Sequence, residues 1–285
     1  MAYRRRLRAA IVVCAAVIAG TVPAGGWSVA DSPATDVRVR PAAAIATAAP
    51  SPSPSPSPDP FKGLSADQIA DRAVTATQSA TSLRMAGRVT SDDQPLDVDF
   101  ALNDKRECSG RMKIKGGAAE LRQTDKVTYM KGDEGFWRAS MTSQGVPERQ
   151  IDATIELLKG RWLKITPGQP GSSDLRGVCD LKALLDDMGE DRDRDKDEGR
   201  ELTRGPDAKV GGTLVATLVK KKAGDETTTV SVAQKGKPYI LKMVKAGGDE
   251  PGTIVLSDFD KPVKVVVPPA EETVDLSKLD QGTRI

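Results

Sequence analysis

Leu96-Asp97-Val98-Asp99-Phe100-Ala101-Leu102 alternates apolar and small or acidic side chains without a break. Side chains along a strand point to opposite faces in turn, so this heptapeptide predicts a strand with one apolar face and one acidic face. An unpaired buried carboxylate is costly, so Asp97 and Asp99 must face water and Leu96, Val98, Phe100 and Leu102 must face a core. The same period continues on either side. Leu83, Met85 and Val89 precede it, and Cys108, Met112 and Ile114 follow it between Arg111, Lys113 and Lys115. Shorter strand signals lie at 119–124, 126–131 and 136–142, punctuated by Gly116-Gly117, Asp125 and Gly132-Asp133. Connections this short permit only antiparallel neighbours.

Upstream the period is helical. Ser65 with Gln68 three residues on is a capping box, and Ile69, Ala73, Val74 and Ala80 recur on one face. Downstream, Pro147 opens a second helix carrying Ile151, Ile155, Leu157 and Leu158, which Gly160 ends; Trp162–Ile165 is a short strand. Residues 174–188 predict a third helix with Leu181, Leu184 and Leu185 inward and Gly189 as its stop. Strand periods then return at 201–204, 212–221, 227–233, 239–245, 253–259 and 263–267. The order of strands, helices and strands predicts an α+β chain with one large antiparallel sheet, strongly curved, and a few helices across its hollow.

The folded part should span 61–285, about 225 residues and one domain. Residues 1–30 carry a basic start, an apolar stretch of about 14 residues at 9–22, and Ser28-Val29-Ala30 before Asp31. That is the pattern of a cleaved secretory leader; Val22-Pro23-Ala24 is a second cleavage candidate, and an uncleaved anchor is the alternative. Cys14 sits mid-stretch behind Val12 and Val13, so it is taken as an apolar leader residue rather than a lipid attachment point. Residues 31–60 include four Ser-Pro pairs at 51–58 and little that could build a core, which predicts a disordered, extended linker. These features place the mature chain outside the cytoplasm, secreted or associated with the cell surface.

Composition removes several functions. There is no His in 285 residues, which excludes His-based catalysis and His-ligated metals. With 42 basic residues, four of them in 1–30, against 40 acidic ones, the remainder is nearly neutral, and no nucleic-acid partner is expected. Cys108 and Cys179 are the two thiols left after the leader; outside the cytoplasm they should form a disulfide, the alternative being two separate buried thiols.

Residues 190–201 interleave Asp191, Asp193, Asp195 and Asp197 with Arg192, Arg194 and Lys196. A calcium loop starting at Asp191 would need Gly and Glu where Lys196 and Leu202 stand, so a solvated loop is expected and no metal site. Ser109 and Lys113 lie on one solvated strand face rather than forming a catalytic pair, and no spacing singles out two carboxylates. No enzymatic activity and no cofactor are expected.

Several segments in order carry a resemblance. They are Leu64-Ser65-Ala66-Asp67-Gln68-Ile69, Cys108-Ser109-Gly110, Val127-Thr128-Tyr129-Met130-Lys131 with Phe136-Trp137, Gly236-Lys237-Pro238-Tyr239-Ile240-Leu241, Ser257-Asp258-Phe259-Asp260-Lys261-Pro262-Val263, and Pro268-Pro269-Ala270 with Val274-Asp275-Leu276. Together they resemble the LolA-like lipoprotein-carrier fold, and within it the LppX/LprG group of actinobacterial lipoproteins. The resemblance implies an open half-barrel whose helices line an apolar cavity, and a monomer that binds a lipid or another hydrophobic small molecule without chemistry. On that basis the cavity candidates are Leu96, Val98, Phe100, Leu102, Ile151, Ile155, Leu158, Leu181, Leu184 and Leu185. The alternative is a cell-envelope protein-interaction module of the same fold with a filled interior; cavity volume separates the two.

Overall fold

The computed structural model describes residues 59–275 apart from 92–93, 125–126, 170–171, 198–201, 222–225 and 249. The leader, and the 31–60 linker but for its last two residues, lie outside the described residues. The described strands form one open, 13-stranded sheet, an α+β half-barrel. This is the open α+β architecture with one large sheet that the order of strand and helix signals predicts.

Helix α1 (Ala66–Gln78) begins at the expected capping box: Gln68 N donates to Ser65 Oγ at 3.2 Å, and Ser65 N donates to Gln68 Oε1 at 2.9 Å. A meander follows, β1 (Ser82–Ser91), β2 (Gln94–Asn103), β3 (Cys108–Ile114), β4 (Gly117–Thr124) and β5 (Val127–Gly132). In β2, Leu96, Val98, Phe100 and Leu102 are buried and their neighbours are not. Arg84 grips Asp99 and Arg88 grips Asp97 on the outer face, each through two hydrogen bonds of 2.6–2.9 Å. Those hydrogen bonds hold both carboxyls below the usual carboxylate range.

Several assignments change. The strand expected at 136–142 is helix α2 (Glu134–Ser143). Asp133 is its N-cap rather than a hairpin residue, accepting from Phe136 N at 2.7 Å. The buried set Phe136, Trp137 and Ser140 has helical, not alternate, spacing. Helix α3 (Glu148–Leu158) buries Ile151, Ile155 and Leu158 but leaves Leu157 exposed. Strand β6 (Trp162–Ile165) lies where expected.

The single helix expected over 174–188 is two, α4 (Ser172–Val178) and α5 (Leu181–Asp197), separated at Cys179-Asp180. Helix α5 runs straight through Gly189 and takes in most of the charge run that was expected as a loop. A Cβ on Gly189 would overlap the Gln78 side chain, whose Nε2 donates to Leu185 O at 3.1 Å. Gly189 therefore serves close packing of α5 on α1 and does not stop the helix. Charged side chains three residues apart stabilise this second half: Arg194 bonds Asp191 at 2.7 Å, and Lys196 lies 3.9 Å from Asp193.

The return strands are β7 (Leu202–Arg204), β8 (Ala208–Val210), β9 (Thr213–Lys221), β10 (Thr227–Ala233), β11 (Ile240–Ala246) and β12 (Gly252–Ser257). Strand β12 pairs with β1, which joins the two runs into one sheet. The expected strand at 263–267 is instead an extended segment outside the sheet, with Val266 and Val267 exposed. Pro262, Pro268 and Pro269 frame it and supply no amide donors. Strand β13 (Thr273–Asp275) pairs parallel to β6, an exception to the antiparallel rule that short-range patterns did not predict. The outer strand order is β13-β6-β5-β4-β3-β2-β1-β12-β11-β10-β9-β7, with β8 on β9.

Asp260 ties the end of β12 to the α1–β1 junction. It accepts from Thr81 N at 3.0 Å, Tyr239 Oη at 2.6 Å and Lys237 Nζ at 3.2 Å. The Tyr239 hydroxyl, with the Thr81 amide and Lys237, lowers its pKa to about 2. A depressed carboxyl pKa stabilises the fold above its unfolded value, near 4, and that contribution is lost as pH falls toward 2. Asn keeps the left-handed backbone Asp260 adopts (φ 58°) but not the charge. Asp260→Asn should therefore lower the melting temperature by a few degrees at pH 7, and the difference should vanish near pH 2. An equal deficit at both values would show that charge is not the cause. Because the site is partly exposed, the effect should stay below about 1 kcal/mol.

Candidate functional site

The two halves of the sheet are covered differently. Helix α2 packs on α3 and over β4 and β5, while α1 packs on α5 and over β7, β10 and β11. Thr77 stitches α1 to the sheet: its hydroxyl donates to Ala73 O at 2.7 Å and accepts from Ile240 N at 3.0 Å. Between α1, α5 and the sheet from β1 and β12 to β9 lies a cavity of about 510 Å³.

Its floor is ordered by strand register. Leu218, Val230 and Met243 are cross-strand partners on β9, β10 and β11, and all three line the cavity. Leu83 and Met85 of β1, Ile240 of β11 and Leu256 of β12 extend this apolar surface. Two residues along each strand, on the same face, stand Lys220, Thr228 and Lys245. The floor thus changes from apolar to cationic in one step of about 7 Å.

The roof changes in the same way. Helical spacing puts Leu184, Leu185, Met188, Asp191, Arg192 and Asp195 of α5 on the cavity wall. The first three are apolar and the last three are charged. Asp195 pairs with Lys220 across the mouth, and Lys245 lies 3.4 Å from Glu226.

Arg192 is 7% exposed and pinned to α1, with Nη2 2.6 Å from an Asp67 oxygen and Nε 3.0 Å from an Asp71 oxygen. Its Nη1 is buried and has no hydrogen-bond partner among the described residues. For Asp71, burial alone would raise the pKa; Lys196 and Arg192 outweigh it and hold the carboxyl below its ordinary value.

Of the residues put forward from sequence, Leu184 and Leu185 stand on this wall. Leu96, Val98, Phe100, Leu102, Ile151, Ile155, Leu158 and Leu181 are buried in the same core and are not part of the wall. The hollow lies under α1 and α5, whereas α2, with α3 packed on it, lies over β4 and β5. Alternation in 212–221, 227–233 and 239–245 did reveal the floor strands, but not that their apolar faces meet empty space. Cys108 and Cys179 form a disulfide with Cα atoms 5.5 Å apart, holding the start of α5 to β3.

No family model matches the chain, and no curated protein matches it in sequence. Among solved structures it is similar to LprF from Mycobacterium bovis, at 15% identity and TM-score 0.46, over 72% of this chain and 97% of that one. It is also similar to the lipoprotein LppX from Mycobacterium tuberculosis, at 14% identity and TM-score 0.40, over 70% and 98%. A LolA superfamily protein from Nitrosomonas europaea matches at 8% identity and TM-score 0.22, over 73% and 97%. At such distances no function is carried across, and the site stands on its own residues. No helix among the described residues is long and apolar enough to cross a membrane.

Proposed function

We propose that this protein is an exported, non-enzymatic binding or carrier protein of the cell envelope that holds a lipid or another hydrophobic molecule. The observation that carries this is the cavity of about 510 Å³ with its apolar floor of Leu218, Val230 and Met243. Volumes of roughly 300–1,000 Å³ suit small-molecule ligands, and burial of apolar surface at about 25 cal/mol per Å² supplies the affinity. The open volume under α5 favours this reading over an interaction module with a filled interior. The domain expected over 61–285, the 1–30 leader and the 31–60 tether fit a chain that works outside the cytoplasm.

The test is native mass spectrometry of the full exported chain after incubation with extracted envelope lipids. A retained lipid of defined mass supports the reading; bare protein at every lipid concentration overturns it. Met243→Trp adds a control. The indole should project into open space, so the variant should fold with nearly unchanged melting temperature and lose lipid binding at least about tenfold. Unchanged uptake would place the ligand elsewhere.

A further inference from the structure

We propose that the cavity takes amphiphiles with an oxyanion head, which sits over Thr228 between Lys220 and Lys245. This rests on the carrier reading and narrows it. The length argument comes from volume. About 510 Å³ holds roughly 17 water-sized units of about 30 Å³, and a methylene fills a similar space. One chain of roughly 14–18 carbons fits in that space.

The head argument comes from polarity. Floor and roof turn from apolar to charged at the same end, so a bound amphiphile has one orientation, with its head at the lysine row. The first polar groups beyond Leu218, Val230 and Met243 are two ammonium groups flanking a hydroxyl on adjacent strands. Strand spacing of about 4.8 Å puts the two lysine Cα atoms about 10 Å apart, so both side chains reach a group above Thr228.

Lys220 and Lys245 already meet Asp195 and Glu226. An ammonium has three donors, so an oxyanion adds to these pairs rather than having to break them. Asp191, Asp195 and Glu226 line the same cavity, and the last two are the partners of Lys220 and Lys245.

The test is calorimetric titration of the full chain with four amphiphiles of one chain length, each below its critical micelle concentration: palmitate, hexadecyl phosphate, methyl palmitate and hexadecyltrimethylammonium. Either oxyanion should bind at least about tenfold tighter than the ester, from charge-assisted hydrogen bonds, and the tighter of the two identifies carboxylate or phosphate as the head. Lys220→Gln with Lys245→Gln should erase that preference and leave ester binding within about twofold. The headgroup series needs no variant, so it decides the proposal even if the double substitution unfolds. Equal binding of acid and ester, or tightest binding of the cation, overturns this proposal and leaves the carrier reading standing. No binding of any of the four overturns both.

Discussion

Phe100→Ala is expected to destabilise the protein by roughly 3–5 kcal/mol, the cost of truncating a fully packed aromatic side chain. Phe100 is 1% exposed and is not on the cavity wall. Its cross-strand partner is Gly110, and a Cβ there would overlap the Phe100 ring, so the ring lies directly on the β3 backbone. Removing it leaves a void at the centre of a sheet that joins both halves of the molecule. For a domain of this size each kcal/mol shifts the melting temperature by about 2–4 °C, so a fall of roughly 6–20 °C is expected. Urea unfolding at neutral pH measures it. Where folded, the variant should bind its ligand as the parent does, because the cavity is offset from β2. A loss under about 1 kcal/mol would mean that Phe100 borders unfilled space.

Replacing both cysteines, Cys108→Ser with Cys179→Ser, is expected to cost about 4 kcal/mol. The disulfide closes a loop across a separation of 71 residues, and in the chain-entropy model a loop of that length restricts the unfolded ensemble by about that amount. The position adds a functional consequence. Cys179 immediately precedes α5, the roof of the cavity, while the far end of α5 is held by Arg192 and Lys196 on Asp67 and Asp71. Losing the covalent end should loosen the roof as well as the fold. Ligand affinity should therefore drop more than in a surface variant of unaffected stability, and dithiothreitol should reproduce both effects on the parent protein. A melting temperature unchanged by reduction would show that the bond does not hold the native state.

Short-range physics made much of this molecule legible. The capping box at Ser65 and Gln68 satisfies orphan amides within one turn, so three residues suffice to announce it. The β2 alternation is equally local, because a buried carboxylate is costly wherever the strand lies, and Asp97 and Asp99 did turn outward onto arginines. The oxidising setting inferred from the leader and the count of two remaining cysteines pointed to the disulfide.

Local signals misled where two structures share them. Phe136 and Trp137 are strand-favouring residues, yet Asp133 as an N-cap turned 134–143 into a helix. Gly189 suggested an end, yet its missing side chain serves the approach of α1, which lies more than a hundred residues away. Strand β13 depends on a parallel partner that no nearby residue announces.

The cavity was the least legible feature. Leu96, Val98, Phe100 and Leu102 have the same alternation as Leu218 and Lys220 or Val230 and Thr228, and periodicity reports which face is turned inward. The sequence alone determined the class of fold, the inward faces of its main strands, and the residue types that rule out His chemistry. Tertiary structure decided that α2 comes to rest over β4 and β5 while the return strands lie under α5 with space to spare, and that a lysine row ends that space. A side chain's contact with a neighbour or with a void depends on where elements distant in sequence come to rest, and alternation along one strand carries no information about that distance.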